Sequence, residues 1–238
     1  MRLYNFRDLG GLTTKCKRAV KPGLVFRTGN VAHWGQEEAD AVVNEKGVRL
    51  YIDLRNSEEV VKFGRPEALL KAKIEWCSIA IDTSDKEFER QRLPKAADWL
   101  GLYQRLFDKN LKSFSQFAKL VAETNTPLMY GCLFGKDRTG IASSLLLNLL
   151  DVHDDLIAKD YAKTTDSIQP LADMFRDMLH NHGATDEELF EHYSRSHEHV
   201  MLSFLEYLRT HPEEHLLARE LKSLEDNLRA PLKARLLK

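Results

Sequence analysis

Apolar and polar positions along this chain fall into blocks, and the period of the pattern changes at defined points. Residues 24–26 form a short apolar run, and residues 48–54 a longer one that reaches Asp53-Leu54 and is followed by Arg55. Residues 74–81 and 127–130 are two more, bounded by Gly, Pro or charged residues. Apolar runs of this length between turn signals read as buried strands. Helix-period segments lie between them. Gln36–Lys46 is followed by Gly47 as a stop, and Ser57-Glu58-Glu59 reads as a helix start. Residues 95–107 and Leu111–Glu123 predict two further helices, and 141–150 is rich in helix formers. Residues 82–94 are polar, and a loop there could serve as a mobile flap. Strands alternating with helices predict α/β architecture.

After Asp151 the pattern becomes wholly helical. Leu171, Met174, Phe175, Met178 and Leu179 share one helical face. Leu189, Phe190, Tyr193, His197, Val200, Met201, Phe204, Leu205 and Leu208 share another, on a long helix expected over 186–209. Core packing is the expectation for both, with a lid or a membrane-surface helix as the alternative. Leu217, Leu221, Leu224 and Leu228 predict a terminal packing helix, broken at Pro231. The expectation is a single domain over 1–238, with a core in 1–152 and a helical extension or lid in 153–238.

Composition adds mainly exclusions. A chain of 238 residues with 43% apolar content can bury a proper core. A formal net charge of −1 gives no general attraction to nucleic acid or to an acidic membrane. The three cysteines, Cys16, Cys77 and Cys132, are odd in number and widely spaced, which argues against a disulfide framework or a zinc site. His180, His182, His192, His197 and His199 lack the spacing of a helical metal pair, so no metal is expected. No signal-peptide core opens the chain, and no apolar run reaches membrane-spanning length. A cytoplasmic protein without integral membrane association is expected, with secretion lacking a cleaved signal as the alternative.

The chemistry concentrates in Cys132-Leu133-Phe134-Gly135-Lys136-Asp137-Arg138-Thr139-Gly140. This stretch joins the strand at 127–130 to the helix at 141–150, so it can curl into a cup at a helix N-terminus. There the backbone N–H groups of Leu133, Phe134, Gly135, Lys136, Asp137 and Arg138 would converge on one tetrahedral dianion. A helix N-terminus and nearby cations favour a thiolate, which makes Cys132 a nucleophile for phosphorus. Arg138 would clamp two equatorial oxygens. Thr139 would donate to the sulfur and help it leave. Gly135 permits a backbone angle that a Cβ resists.

With Gly-Lys-Asp-Arg-Thr-Gly in place, the chain resembles the atypical tyrosine/lipid phosphatases of the protein-tyrosine-phosphatase superfamily. Their loop reads His-Cys-x-x-Gly-Lys-Asp-Arg-Thr-Gly. Asn5-Phe6-Arg7-Asp8-Leu9-Gly10-Gly11 matches their opening motif. Arg27-Thr28-Gly29 matches the step after their first strand, and Ile52-Asp53-Leu54-Arg55 their Asp-Leu-Arg strand end. The resemblance implies a mostly parallel central sheet flanked by helices, with a C-terminal helical extension. It also implies phosphomonoester hydrolysis through a phosphocysteine, without metal or cofactor. The implied substrates are phosphotyrosine, with phosphoserine, phosphothreonine or phosphoinositides as further possibilities.

The resemblance implies Asp137 as general acid, although Lys136 and Arg138 flank it and cations hold a carboxyl ionised. Asp53 is a second candidate, or else a partner for Arg138. Asp82 and Asp85, in the polar loop, are a third possibility. Lys136 is expected at the cup rim, facing outward, where it could meet a second anionic group. Arg7 and Arg27 are expected to anchor loops, with Arg27 or Arg55 as candidates for shaping the field of the site. The family's histidine before the cysteine is Gly131 here, which predicts a less stabilised thiolate. That departure makes a phospho-binding pseudophosphatase the alternative reading. A rhodanese-type sulfurtransferase is another rival, since it uses a similar cup but has no need of Lys136-Asp137.

Overall fold

The computed structural model describes residues 3–84, 99–167, 196–210 and 216–238. A sheet of five strands lies at its centre in the order β1-β2-β5-β3-β4. These are β1 (Arg7–Asp8), β2 (Val25–Thr28), β3 (Leu50–Asp53), β4 (Glu75–Ser78) and β5 (Leu128–Gly131). Only β1 runs antiparallel; the other pairings are parallel. The architecture is therefore α/β, as the alternation implied, with the mostly parallel sheet that the resemblance implied. Strands β2, β3 and β5 are buried at every position, which explains why they read as unbroken apolar runs. Their ends are flush: Thr28 and Asp53 both pair with Gly131, so the chain leaves all three strands at one edge.

The helices are α1 (Gln36–Lys46), α2 (Ser57–Phe63), α3 (Glu67–Lys71), α4 (Trp99–Lys109), α5 (Leu111–Glu123), α6 (Asp137–Leu149), α7 (Asp154–Ala162), α8 (Glu198–Arg209) and α9 (Leu216–Leu236). Helix α1 has the bounds its pattern predicts, because Gly47 takes the left-handed conformation (φ 69°) and its N–H closes on the Val42 carbonyl. The cap of α2 is Asn56, whose side chain accepts from the Glu59 N–H at 2.8 Å while Glu59 accepts from the Asn56 N–H at 3.0 Å.

Several boundaries depart from the pattern. The strand expected over 74–81 ends at Ser78, although Ile79 and Ile81 still donate to the Asp53 and Leu54 carbonyls. Helix α6 starts at Asp137 rather than at residue 141, since the Gly140 N–H already reaches the Lys136 carbonyl at 2.7 Å. Its first turn carries polar residues that apolar periodicity cannot register. Helix α8 starts only at Glu198, because Ser196 and His197 are not helical and the Ser196 N–H is held by Thr165 Oγ1. A continuous helix over 186–209 is thus corrected, while the stripes at 171–179 and 189–193 lie outside the described residues. Helix α9 runs through Pro231 without the expected break. Pro231 and Asn227 are both exposed, so the carbonyl that loses its partner faces water.

The main apolar cluster runs from Leu9 through the sheet to Leu237. Phe204 of α8 packs edge-on against Tyr103 and Phe107 of α4. Val200, Met201, Leu205 and Leu208 continue that buried face, so the described part of the stripe lies in the core. A smaller cluster on the other sheet face gathers α1 and α3 around Phe26, Tyr51 and Met129.

Candidate active site

The stretch between β5 and α6 is placed by the flush strand ends. Gly131 closes β5, Cys132 follows at 3% exposure, and Lys136 caps α6. Thr139 on the first turn of α6 donates through Oγ1 to Cys132 Sγ at 3.1 Å. Cys132 and Arg138 therefore belong to one helix N-terminus, with the sulfur at its base.

Arg138 is buried and gripped from α2. Its Nη1 and Nη2 reach Glu59 Oε2 and Oε1 at 2.5 and 2.6 Å, a two-pronged pair, and Nη1 also lies 3.4 Å from the Leu54 carbonyl. Burial opposes ionisation of Glu59, but the hydrogen bond and charge of Arg138 outweigh it, and the carboxyl is held below its ordinary range. Burial likewise opposes the charge on Arg138, yet Glu59, Cys132 and Asp137 together raise its affinity for the proton. The guanidinium is thus permanently charged and already oriented.

Asp53 does not partner Arg138. Its carboxylate takes Arg55 Nε and Nη2 at 2.9 and 2.7 Å and the Arg55 N–H at 3.1 Å, and both side chains are wholly buried. Arg55 continues to Asn30 Oδ1 and the Gly64 carbonyl at 3.1 Å each. Asp53 and Arg55 form a closed floor element, and Asp53, wholly buried and paired with the Arg55 guanidinium, is turned away from any substrate. Asp82 is no better placed. Bonds from Lys109 and Ser84 hold it ionised, with its pKa lowered to about 2. Asp85 lies outside the described residues.

Asp137 opens α6 and is half-buried. Its Oδ1 accepts from the Tyr103 hydroxyl at 2.7 Å, and that hydroxyl lies 2.5 Å from the Tyr161 hydroxyl. Lys136 does not face outward from a rim. It is 2% exposed, and its ammonium sits 4.0 Å from the centre of the Trp99 ring. Burial lowers its proton affinity and the charge of Asp137 works against that. The reason is packing: the aliphatic stem is covered and the charged head rests on an aromatic face.

The cup is held from behind by residues of the two earlier motifs. Asn5 Nδ2 donates to the Phe134 and Gly135 carbonyls at 3.1 and 2.8 Å, and Arg27 Nη2 donates to the Gly135 carbonyl at 2.7 Å. The Leu133 carbonyl accepts from the Asn30 N–H at 3.0 Å. In a trans peptide the C=O and the following N–H point in opposite directions. Tying these carbonyls outward therefore turns the N–H groups of Phe134, Gly135 and Lys136 the other way. Gly135 has φ 67°, and a Cβ there would lie 2.6 Å from the Thr28 carbonyl oxygen. Arg27 Nη1 and Arg7 Nε share the buried carboxylate of Asp160 on α7, at 3.1 and 2.9 Å, and Arg7 also holds Asn5 Oδ1. Anchoring by Arg7 and Arg27 was the sequence expectation. Their common anchor Asp160, the Arg138 partner Glu59 and the Asp137 partner Tyr103 were not anticipated.

Among the described residues no group of three or more His, Cys, Asp or Glu side chains could hold a metal ion. All three cysteines are free. No described helix is long and apolar enough to cross a membrane.

Comparison with known proteins places this geometry in context. The whole chain, residues 1–238, matches the tyrosine phosphatase family. A relative from Cupriavidus necator, described as a tyrosine-protein phosphatase, is 30% identical over 68% of this chain and 60% of its own length. A tyrosine-protein phosphatase from Nostoc commune is 28% identical over 62% of this chain and 50% of its own length. The triple specificity protein phosphatase PtpB of Mycobacterium tuberculosis is 24% identical over 74% of this chain and 72% of its own. The chain thus spans 60% and 50% of the first two relatives.

Proposed function

Since the chain belongs to the tyrosine phosphatase family, we propose that it hydrolyses phosphomonoesters through a phosphocysteine on Cys132. One observation carries this reading: Cys132 Sγ lies at the N-terminus of α6, with Thr139 donating to it, beside an Arg138 already oriented by Glu59. The dianion sits in the cup, and Sγ attacks phosphorus. The S–P bond forms as the ester P–O bond breaks, and Asp137 gives its proton to the leaving oxygen. Water then attacks phosphorus with Asp137 taking the proton. The S–P bond breaks, inorganic phosphate leaves, and Thr139 stabilises the returning thiolate. Arg138 and the backbone N–H groups of 133–138 follow the equatorial oxygens through both steps.

Phosphotyrosine is the substrate this geometry favours. Lys136 lies over Trp99, so it adds no outward cation that would select a second phosphate of an inositol ring. Phosphoserine, phosphothreonine and phosphoinositides remain secondary substrates in this reading. A nucleophilic thiol needs a reducing compartment, which makes the cytoplasm the place of action. The pseudophosphatase alternative gains nothing from the relatives, whose names describe phosphatases.

The test uses wild type and Cys132→Ser with phosphotyrosyl peptides and p-nitrophenyl phosphate. Turnover by wild type, its loss in Cys132→Ser, and an acid-stable label on Cys132 after rapid quench are expected. Turnover that survives Cys132→Ser would reject the mechanism.

A further inference from the structure

We propose that Tyr103 is a positioning residue for Asp137: its hydroxyl holds Oδ1, so that Oδ2 alone is left to carry the proton to the leaving oxygen. This rests on the reading of Asp137 as the general acid. The Tyr103 hydroxyl is 2.7 Å from Asp137 Oδ1 and 2.5 Å from the Tyr161 hydroxyl. An ionised carboxylate can only accept, so Tyr103 donates to Asp137 and Tyr161 donates to Tyr103. The order of donation is thus fixed along the chain Tyr161, Tyr103, Asp137.

The hydroxyl has little freedom to do otherwise. Tyr103 is wholly buried, and its ring meets Trp99, Tyr161 and Phe204 edge-on, each at 6.2 Å between centres. A carboxyl protonated on Oδ2 still accepts at Oδ1, so the tyrosine bond persists in both protonation states. Asp137 then presents the same oxygen to the substrate whether it is about to give a proton or has just given one.

A donor to a carboxylate favours its ionised form, so loss of the Tyr103 bond is a change that a pH profile can read. The other charged groups that interact with Asp137 among the described residues are Lys136 and Arg138, its neighbours in sequence, with Glu59 and Cys132 acting on Arg138. Tyr161 reaches it from α7 through Tyr103. Burial, then the charge of Asp137, pushes Tyr103 far above the ordinary tyrosine range, so its proton stays in place at working pH.

The experiment compares full-length wild type, Tyr103→Phe, Tyr161→Phe and Asp137→Asn on phenyl phosphate, a poor leaving group, and on p-nitrophenyl phosphate, a good one. The general acid must be protonated, so activity on phenyl phosphate falls as pH rises through its pKa in the complex. In Tyr103→Phe this alkaline limb is expected to move up by about one pH unit. The rate on phenyl phosphate at the optimum should drop several-fold, and the profile on p-nitrophenyl phosphate should barely change. Tyr161→Phe should shift the limb in the same direction by less, and it carries the test if Tyr103→Phe does not fold. Unmoved limbs in both folded variants would overturn the proposal while a selective loss in Asp137→Asn leaves the acid role standing. Equal losses on both substrates in Asp137→Asn would remove the acid role, and the proposal with it.

Discussion

The Thr28 carbonyl oxygen stands where a side chain on Gly131 would have to go: a Cβ at residue 131 would lie 2.7 Å from that oxygen and 2.8 Å from Thr28 Cγ2. The Gly29 carbonyl closes the same space at 3.0 Å. The absence of the family's histidine before Cys132 is therefore more than a replaced side chain. Strands β2 and β5 approach so closely at this register that residue 131 has no room for one. Gly131→Ala is expected to cost about 1–3 kcal/mol through overpacking, read as a lower denaturant midpoint. Gly131→His should be no more active than wild type. A stable, faster Gly131→His would show that the strands yield.

Glu59 joins two tasks, since one oxygen caps α2 while both hold Arg138. Glu59→Ala is expected to lower kcat/KM on p-nitrophenyl phosphate by roughly 100-fold, the scale of a misplaced catalytic group. Asn56→Ala removes the other half of the capping box, the bond that Asn56 Oδ1 accepts from the Glu59 N–H, without touching Arg138. It should cost about 1 kcal/mol of stability and leave kcat/KM close to wild type. Parallel losses of activity in both variants would assign the effect to the helix rather than to the guanidinium.

Asp160 couples the stability of the fold to pH. Burial raises its pKa, but Arg27 and Arg7 more than offset this, and its folded value is depressed. Its contribution is therefore present above the unfolded value of about 3.9 and is lost as pH falls through the folded one. Asp160→Asn is expected to cost about 3–5 kcal/mol at neutral pH by leaving the buried Arg27 and the half-buried Arg7 without their carboxylate. The difference from wild type should narrow on acidification below about pH 4. Urea midpoints measured from pH 3 to 7 check this, and a difference that stays constant with pH would count against the linkage.

Lys136→Met tests where the ammonium points. With the head group on Trp99, the ratio of phosphoinositide to phosphotyrosyl turnover should stay within about twofold of wild type, less than one lost charge-assisted contact would produce. A selective loss on phosphoinositides would return the lysine to the rim.

The legible part of the site was the contiguous part. Cys132, Arg138 and Thr139 lie on one short stretch that runs from the end of a strand into the first turn of a helix, and spacing alone brings them together. Glu59, Tyr103 and Asp160 reach the same place from α2, α4 and α7. Nothing local marks them, because Glu59 reads as a helix-capping acid, Tyr103 as one more core aromatic, and Asp160 as a charge on an amphipathic helix. Asp53 misled for a related reason. Its place at a strand end was right, but Arg55, two residues away, satisfies it before Arg138 can. Lys136 misled because its charge suggests solvent, whereas Trp99 offers a buried aromatic face. For the fold, Gln36–Lys46 was bounded by a glycine whose backbone angle ends a helix. The stretch 186–209 had no such mark, and the interruption at Ser196 is made by a distant threonine.

The bonds from Asn5 to the Gly135 carbonyl join residues 130 positions apart, and Asp160 lies later still. This has a consequence for the order of assembly. Closing such long loops is slow compared with forming local helices. On the proposed reading the loop is made before its distant anchor Asp160, so activity on phosphoesters is expected only once α7 has been made and docked. In refolding, helical signal should return before vanadate binding does; simultaneous recovery would contradict this order.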